Sequence, residues 1–221
     1  MRCELVIFDC DGVLVDSEPI ANRVLSELLA GCGLRLDPDE VMRRFVGRTK
    51  RGCIELATEL LGAPLPASFG ADWDAALYAA FRAELRAVEG VTEAIDALEV
   101  PYCVATNSSR ERLGIALEAT GLAPRFEGRR FSAVDVARPK PAPDLFLHAA
   151  GTMGVPPARC VVVEDTPTGV RAAVAAGMTV LGFAAAPHTD AAALQSAGAA
   201  LFHRMTDLIP ALYRMAGTKP A

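Results

Sequence analysis

The chain is poor in lysine, histidine and aromatic side chains, and it has no paired-cysteine motif. Of its 22 basic residues nineteen are Arg and only three are Lys (Lys50, Lys140 and Lys219). Against 27 acidic residues this leaves a net charge of −5. No overall field draws the chain to nucleic acid or to an anionic membrane, although a local basic patch could still bind a phosphate. The six Cys (3, 10, 32, 53, 103 and 160) show no C-x-x-C spacing, and His148, His188 and His203 do not pair with a second ligand at helical spacing. A zinc site is therefore not expected. There is no run of ~18 apolar residues to cross a bilayer. The opening MRCELVIF reads as a strand, not as the charged head of a signal segment. These absences point to a cytoplasmic protein with reduced thiols and no nucleic acid or membrane partner; a monomer or weak homodimer is the expected state. What is present is a folded composition. At 221 residues, 52% hydrophobic and 22% charged, the chain can form one domain, or one core carrying an inserted lobe. Where Arg is the default cation, each remaining Lys asks why Arg would not serve.

Five short, nearly continuous β-prone runs recur: Glu4–Phe8, Tyr102–Thr106, Arg130–Val134, Cys160–Glu164 and Thr179–Phe183. Runs of this kind, bounded by turn residues, suit strands buried on both faces of a parallel sheet. Helical segments lie between them at Ser109–Thr120, Pro143–Gly151 and Gly169–Ala176, with Gly151 and Gly177 as C-terminal stops. The alternation predicts an α/β fold, a doubly wound, Rossmann-like parallel sheet. It fails between residues 17 and 88, where no convincing strand occurs. Ser17 can cap a helix bearing Ile20, Val24 and Leu28. Asp37-Pro38-Asp39-Glu40 is a second helix start, and Trp73, Leu77, Phe81, Leu85 and Val88 follow a period near 3.6. The expected organisation is a core of residues 1–16 and 89–221 with an all-helical cap, 17–88, inserted after the first strand. Gly62–Gly70 is a loop within the cap, Val88–Gly90 a return hinge, and the Ala-rich 184–200 a loose helix.

Four strand ends carry chemistry. The first run ends in Asp9-Cys10-Asp11-Gly12-Val13. Two carboxylates two residues apart, at the carboxyl end of a strand, repel unless a cation balances them, which invites Mg²⁺; taken alone, a solvated turn reads equally well. The second ends in Thr106-Asn107-Ser108-Ser109, an anion site of hydroxyls and N–H groups or an ordinary helix cap. After the third, Lys140 stands among stiffening prolines in Arg138-Pro139-Lys140-Pro141. The fourth ends in Glu164-Asp165-Thr166, acids that could also cap the next helix.

Acid, hydroxyl, lysine and acid pair follow in that order, 97, 34 and 25 residues apart. In order, strand context and residue type the chain resembles the haloacid dehalogenase superfamily. The first motif falls on Asp9–Val13, the second on Thr106, the third on Lys140 and the fourth on Glu164 and Asp165, with a helical cap between the first and second. The resemblance implies a phosphatase. Asp9 would be the nucleophile that forms an aspartyl-phosphate, and Asp11 the acid and base. Asp9, Asp11, Asp165 and Glu164 would be around Mg²⁺, and Thr106, Asn107, Ser108 and Lys140 would be on the transferring oxygens. Dehalogenases of the superfamily lack the second Asp, because a halide needs no protonation, so Asp11 argues against that chemistry. A phosphomutase remains an alternative, since Arg48 could hold a second phosphate, although the mutase His is replaced by Ala21. A site that binds a phosphometabolite without turnover is another. Within the superfamily the chain most resembles bacterial 6-phosphogluconate phosphatases, through Phe8–Gly12, Leu14–Glu18, Leu36–Val41 with Arg44-Phe45, and Ala186-Pro187-His188. The implied partner is a small phosphorylated sugar or sugar acid, read in the cap by Glu18, Gly47, Arg48 and Lys50. The cluster Arg43, Arg44, Arg48, Lys50, Arg51 reads equally well as a solvated helix face.

Overall fold

The computed structural model describes residues 3–45, 48–187 and 189–216. In chain order the elements are β1 (Leu5–Phe8), α1 (Glu18–Gly31), α2 (Pro38–Phe45), α3 (Lys50–Leu61), α4 (Phe69–Glu84), α5 (Val91–Asp96) and β2 (Tyr102–Thr106). They continue with α6 (Arg110–Ala119), β3 (Arg130–Ser132), α7 (Asp144–Thr152), β4 (Cys160–Glu164), α8 (Pro167–Ala175), β5 (Thr179–Phe183), α9 (Ala191–Ser196), β6 (Ala200–Phe202) and α10 (Leu208–Ala216).

The strands form one parallel sheet in the order β3-β2-β1-β4-β5-β6. The fully buried sequences Leu5–Phe8 and Cys160–Glu164 take its centre, where helices cover both faces and every position can be apolar. One core layer sets Ile7, Cys103, Ala105 and Val162 of the sheet against Leu145, Phe146 and Ala149 of α7 and Val170 and Ala173 of α8. After β1 the chain order runs outward to β2 and β3, then returns to β4 on the other side of β1. The carboxyl ends of β1 and β4 thus flank the reversal point at which open α/β sheets bind ligands.

The chain divides into two compact units, Met1–Asp16 with Arg86–Ala221, and Ser17–Leu85. The second unit is helical. Leu25 and Leu29 of α1, Val41 and Phe45 of α2, Cys53 and Ala57 of α3, and Phe69 of α4 form its apolar centre. Asp37 accepts the Glu40 N–H at 2.7 Å, the bond a helix-starting Asp makes. The chain rejoins the first unit at Arg86, earlier than the Val88–Gly90 hinge. The Arg86 carbonyl accepts from Asp16 N, and Val88 N donates to Leu14 O, so 86–88 is already extended. For the same reason α4 stops at Glu84, and Leu85 (ψ 136°) and Val88 lie beyond the helix that their periodicity suggested.

Other local readings differ in detail. Ser17 precedes α1 but makes no side-chain capping bond. The third strand ends at Ser132, because Ser132 and Asp135 form a capping box that starts a 3₁₀ turn. Gly151 lies inside α7, and the left-handed glycine that follows that helix is Gly154 (φ 71°). Among the described residues of 184–199 the helix is the short α9, capped by Asp190, and β6 begins at Ala200. Among the described residues no helix is long and apolar enough to cross a membrane.

Candidate active site

Asp9 leaves β1 beside β4, its N–H donating to Val163 O at 2.9 Å. The next residues turn tightly: the N–H groups of Leu14 and Val15 both reach the Cys10 carbonyl, and Gly12 N reaches Val15 O. Gly12 has φ 76°, in the left-handed region. Its bare Cα is also required by the neighbouring strand, since a Cβ there would stand 1.9 Å from Asp165 Oδ2. Gly12→Ala therefore meets both a backbone and a steric objection. It is expected to cost ~1–3 kcal/mol in urea unfolding, and an unchanged midpoint would mean that the Asp165 carboxylate relocates freely.

Lys140 is the centre of the arrangement. Only 6% exposed, it directs Nζ to Asp9 Oδ1 at 2.7 Å and to Glu164 Oε1 at 2.8 Å, with the Phe146 ring 4.6 Å away. Its backbone is held as firmly. Asn107 Nδ2 donates to the Lys140 carbonyl at 3.1 Å, and Lys140 N donates to Asn107 Oδ1 at 3.0 Å. The peptide bond from Lys140 to Pro141 is cis. A buried ammonium between two carboxylates stays charged: burial acts to lower its pKa, but the pull of Asp9 and Glu164 prevails and raises it. Burial pushes Asp9 the other way, to about 7, against the attraction of Lys140 and with repulsion from Glu164. Glu164, 1% exposed, also accepts the Thr166 N–H at 2.8 Å and the Thr166 hydroxyl at 2.9 Å. Its carboxylate folds onto the first turn of α8, in the space that a Cβ on Gly169 would fill, 1.6 Å from Oε1.

Asp9, Glu164 and Asp165 each present a carboxylate oxygen within 4.8 Å of the others. Hard oxygen donors converging at this spacing, with Asp165 seated against Gly12, fit a divalent cation such as Mg²⁺. On the far side of Asp9 stands the end of β2. Thr106, 2% exposed, accepts the Ser108 N–H at 3.0 Å, and Ser109 caps α6 by accepting Arg112 N at 3.2 Å. Ser108 Oγ donates to Asp11 Oδ2 at 2.7 Å, and Ser132 Oγ, from the end of β3, steadies the Ser108 carbonyl at 2.6 Å.

The structure thus brings Asp9, Asp11, Thr106, Asn107, Ser108, Lys140, Glu164 and Asp165 to one edge of the sheet. The Asn107 side chain is engaged by the Lys140 backbone through Oδ1 and one Nδ2 hydrogen. Residues of the helical unit are arranged differently. Lys50 Nζ is bonded to Asp74 Oδ2 and to Gly70 O, both at 2.6 Å, which tethers α3 to α4. Arg48 Nε donates to Arg44 O at 2.6 Å, and Arg44 pairs with Glu40. Arg48 and Glu18 both act electrostatically on the buried Cys53 thiol. Gly47 and His188 lie outside the described residues. Two contributors escaped the sequence reading, Ser132 and Arg112. Arg112 Nη2 donates to Asp11 Oδ1 at 2.8 Å across 101 residues of chain, a separation that no local pattern signals.

Comparison with known proteins agrees with this geometry. The family model for haloacid dehalogenase-like hydrolases matches residues 3–177. The chain is 35% identical over 188 residues to the 6-phosphogluconate phosphatase of Escherichia coli, covering 85% of each. Among solved structures it is similar to a haloacid dehalogenase-like protein of unknown function from Agrobacterium tumefaciens, with 41% identity, TM-score 0.87, and 97% and 99% of the two chains covered. It is also similar to a putative β-phosphoglucomutase from Thermotoga maritima, with 26% identity, TM-score 0.81, and 96% and 99% covered. The chain belongs to the haloacid dehalogenase-like hydrolase family.

Proposed function

We propose that this hydrolase is a Mg²⁺-dependent phosphatase of small phosphorylated sugars or sugar acids of the 6-phosphogluconate type, acting through an aspartyl-phosphate. The observation that carries this reading is the single buried network Asp9–Lys140–Glu164, with Asp11 beside it and held by its own donors. Asp9, Asp165, Glu164 and the Asp11 main-chain carbonyl would hold the cation. When bound it supplies positive charge that lets an anionic carboxylate approach an anionic phosphate.

The remaining chemistry belongs to the chain. Lys140 orients Asp9 through Oδ1 and adds charge for the phosphoryl oxygens, which Thr106 and the N–H groups of Asn107 and Ser108 would receive. Asp9 attacks phosphorus as the bond to the sugar oxygen breaks, and Asp11 gives that oxygen its proton. Asp11, now ionised, takes a proton from water as the water attacks the phosphorus of the aspartyl-phosphate. Inorganic phosphate leaves, and Asp9 is restored as a carboxylate. One difficult displacement becomes two easier ones.

Arg48 is the residue of the helical unit that we assign to the far end of the substrate, where a sugar acid carries its carboxylate, because a guanidinium matches that group in a bidentate fashion. Glu18, Gly47 and Lys50 belong to the same assignment, with Lys50, already bonded to Asp74 and Gly70, the weaker member. The six cysteines are free thiols, which suits a reducing cytoplasm. The test is a phosphate-release screen over sugar phosphates including 6-phosphogluconate. Release is expected with Mg²⁺ and should fall at least tenfold with EDTA, returning on readdition. No release from any substrate would favour a binding role without turnover. The likeness to the Thermotoga protein keeps a mutase as second reading. Hexose 1- and 6-phosphate interconversion primed by a bisphosphate would support it, and free phosphate as sole product would remove it.

A further inference from the structure

The guanidinium of Arg112 sits where helix electrostatics do not favour it. Arg112 is the third residue of α6, within the first turn, next to the positive end of the helix dipole. A cation there is unfavourable unless something else requires it. The structure supplies the requirement: Nη2 reaches Asp11 Oδ1 at 2.8 Å, and the two side chains are 26% and 18% exposed. The other oxygen, Oδ2, accepts from Ser108 Oγ at 2.7 Å. The mounting is rigid on each side. Ser109 Oγ accepts Arg112 N, Ser132 Oγ binds the Ser108 carbonyl, and Asp135 Oδ2 accepts Ser132 N at 2.8 Å.

We propose that Arg112 is a positioning residue that aligns the Asp11 carboxyl for proton transfer to the leaving group, an inference that rests on the acid role given to Asp11 above. Arg112 and Ser108 are chemically unequal partners of Asp11. A guanidinium has donors only, and the unprotonated oxygen of a carboxyl is the better acceptor, so the oxygen that Arg112 holds is the one that stays without the proton. A serine hydroxyl can turn and accept. The proton therefore resides on Oδ2, on the Ser108 side. In the first half-reaction it passes from Oδ2 to the departing oxygen as the P–O bond breaks. The carboxylate that remains has a donor against each oxygen, Arg112 at Oδ1 and Ser108 at Oδ2. Arg112 thereby determines which oxygen delivers the proton.

The test uses a series of aryl phosphates, from phenyl phosphate to p-nitrophenyl phosphate, which share a shape, lack sugar hydroxyls and differ in how much their leaving group needs protonation. The readout is kcat/KM, which reports phosphoryl transfer and not the later hydrolysis. Arg112→Gln is expected to lower kcat/KM ten- to hundredfold for phenyl phosphate and less than threefold for p-nitrophenyl phosphate. Arg112→Lys, which keeps a donor without the fork, should lie between; it carries the comparison if the glutamine variant fails to fold. Asp11→Ala, run alongside, should steepen the same dependence further. If Asp11→Ala steepens it and Arg112→Gln and Arg112→Lys do not, the inference fails while the acid role stands. If Asp11→Ala itself leaves the dependence flat, the acid role fails as well. A uniform loss over the series would make Arg112 a phosphate or structural residue. A loss confined to 6-phosphogluconate would make it a sugar contact. Either outcome overturns the proposal.

Discussion

Asp9→Asn is expected to lower phosphate release by ~10⁴-fold or more while leaving the protein folded and, in metal-free buffer at pH 8, more stable than the parent. Both effects come from one circumstance. The Asp9 carboxylate is 7% exposed, and burial lifts its pKa from 3.8 to about 7 although Lys140 stands 2.7 Å away. A carboxyl whose folded pKa is raised favours folding fully below pH 3.8, and that contribution is lost as pH rises through 7. At pH 8 the ionised nucleophile is a strained resident, as active-site groups often are. Asparagine keeps the shape and an oxygen to accept from Lys140, yet carries no charge to desolvate. An increase of ~2–6 °C in melting temperature is expected at pH 8, given ~2–4 °C per kcal/mol for a chain of this size, and it should shrink toward pH 5. Adding Mg²⁺ should reverse the order, because binding to the folded state stabilises by mass action and the parent holds the more complete ligand set. Melting curves at both pH values with EDTA and with Mg²⁺ test the stability half. Turnover of the variant above a few per cent would show that another group attacks phosphorus.

Lys140→Met carries the largest expected loss of stability. Nζ lies between Asp9 and Glu164 at 2.7 and 2.8 Å, and all three groups are buried. Removing one partner of a buried ionic cluster leaves the others uncompensated and costs ~3–5 kcal/mol, hence ~6–20 °C in melting temperature. The sign of the pH dependence follows from the same charges. Without the ammonium the Asp9 carboxyl is pushed further up, so the deficit is greatest at pH 8 and narrows in acid as Asp9 keeps its proton. Adding Asp9→Asn to Lys140→Met should restore a substantial part of the loss, because the repulsion between the two acids disappears. Strict additivity of the two changes would show that the groups do not interact. Lys140→Arg is not expected to restore activity. The space beside Phe146 accommodates a compact ammonium, and the Asn107 clamp on the backbone leaves the residue no freedom to retreat for a broad planar fork.

The scarce lysines serve unequal ends. Lys140 could be singled out in the sequence because prolines stiffen its surroundings and its order among the strand ends is informative. Lys50 offered a similar appearance, but its ammonium joins α3 to α4 through Asp74 and Gly70. The surface tether made by Lys50 is not written in its neighbours, since it depends on what the side chain meets in α4.

Much of the fold was legible because it rests on short-range rules. Leu5–Phe8 and Cys160–Val163 are apolar at every position, which only a strand covered on both faces requires, and Asp37, Ser109 and Gly177 mark helix ends through bonds or dihedrals made within a few residues. Elements without such a signal escaped notice: α5 and β6 are six and three residues long, too short for either periodicity to emerge. Proline and glycine punctuation misled at Gly151, where a helix packed on the sheet runs past a weak local break.

The sequence by itself determined the fold class, the order of the four strand ends and the residue types at each, because apolar runs, caps and an Asp-x-Asp-Gly turn are written in adjacent residues. Only the tertiary structure decided that β1 and β4 are neighbours, that Asn107 grips the backbone of Lys140 thirty-three positions away, and that Arg112 reaches back across 101 residues to Asp11. The physical reason is the same in each case. Buried charges and hydrogen-bonding groups must find partners, and when the partner lies on another strand the choice depends on how the sheet is ordered.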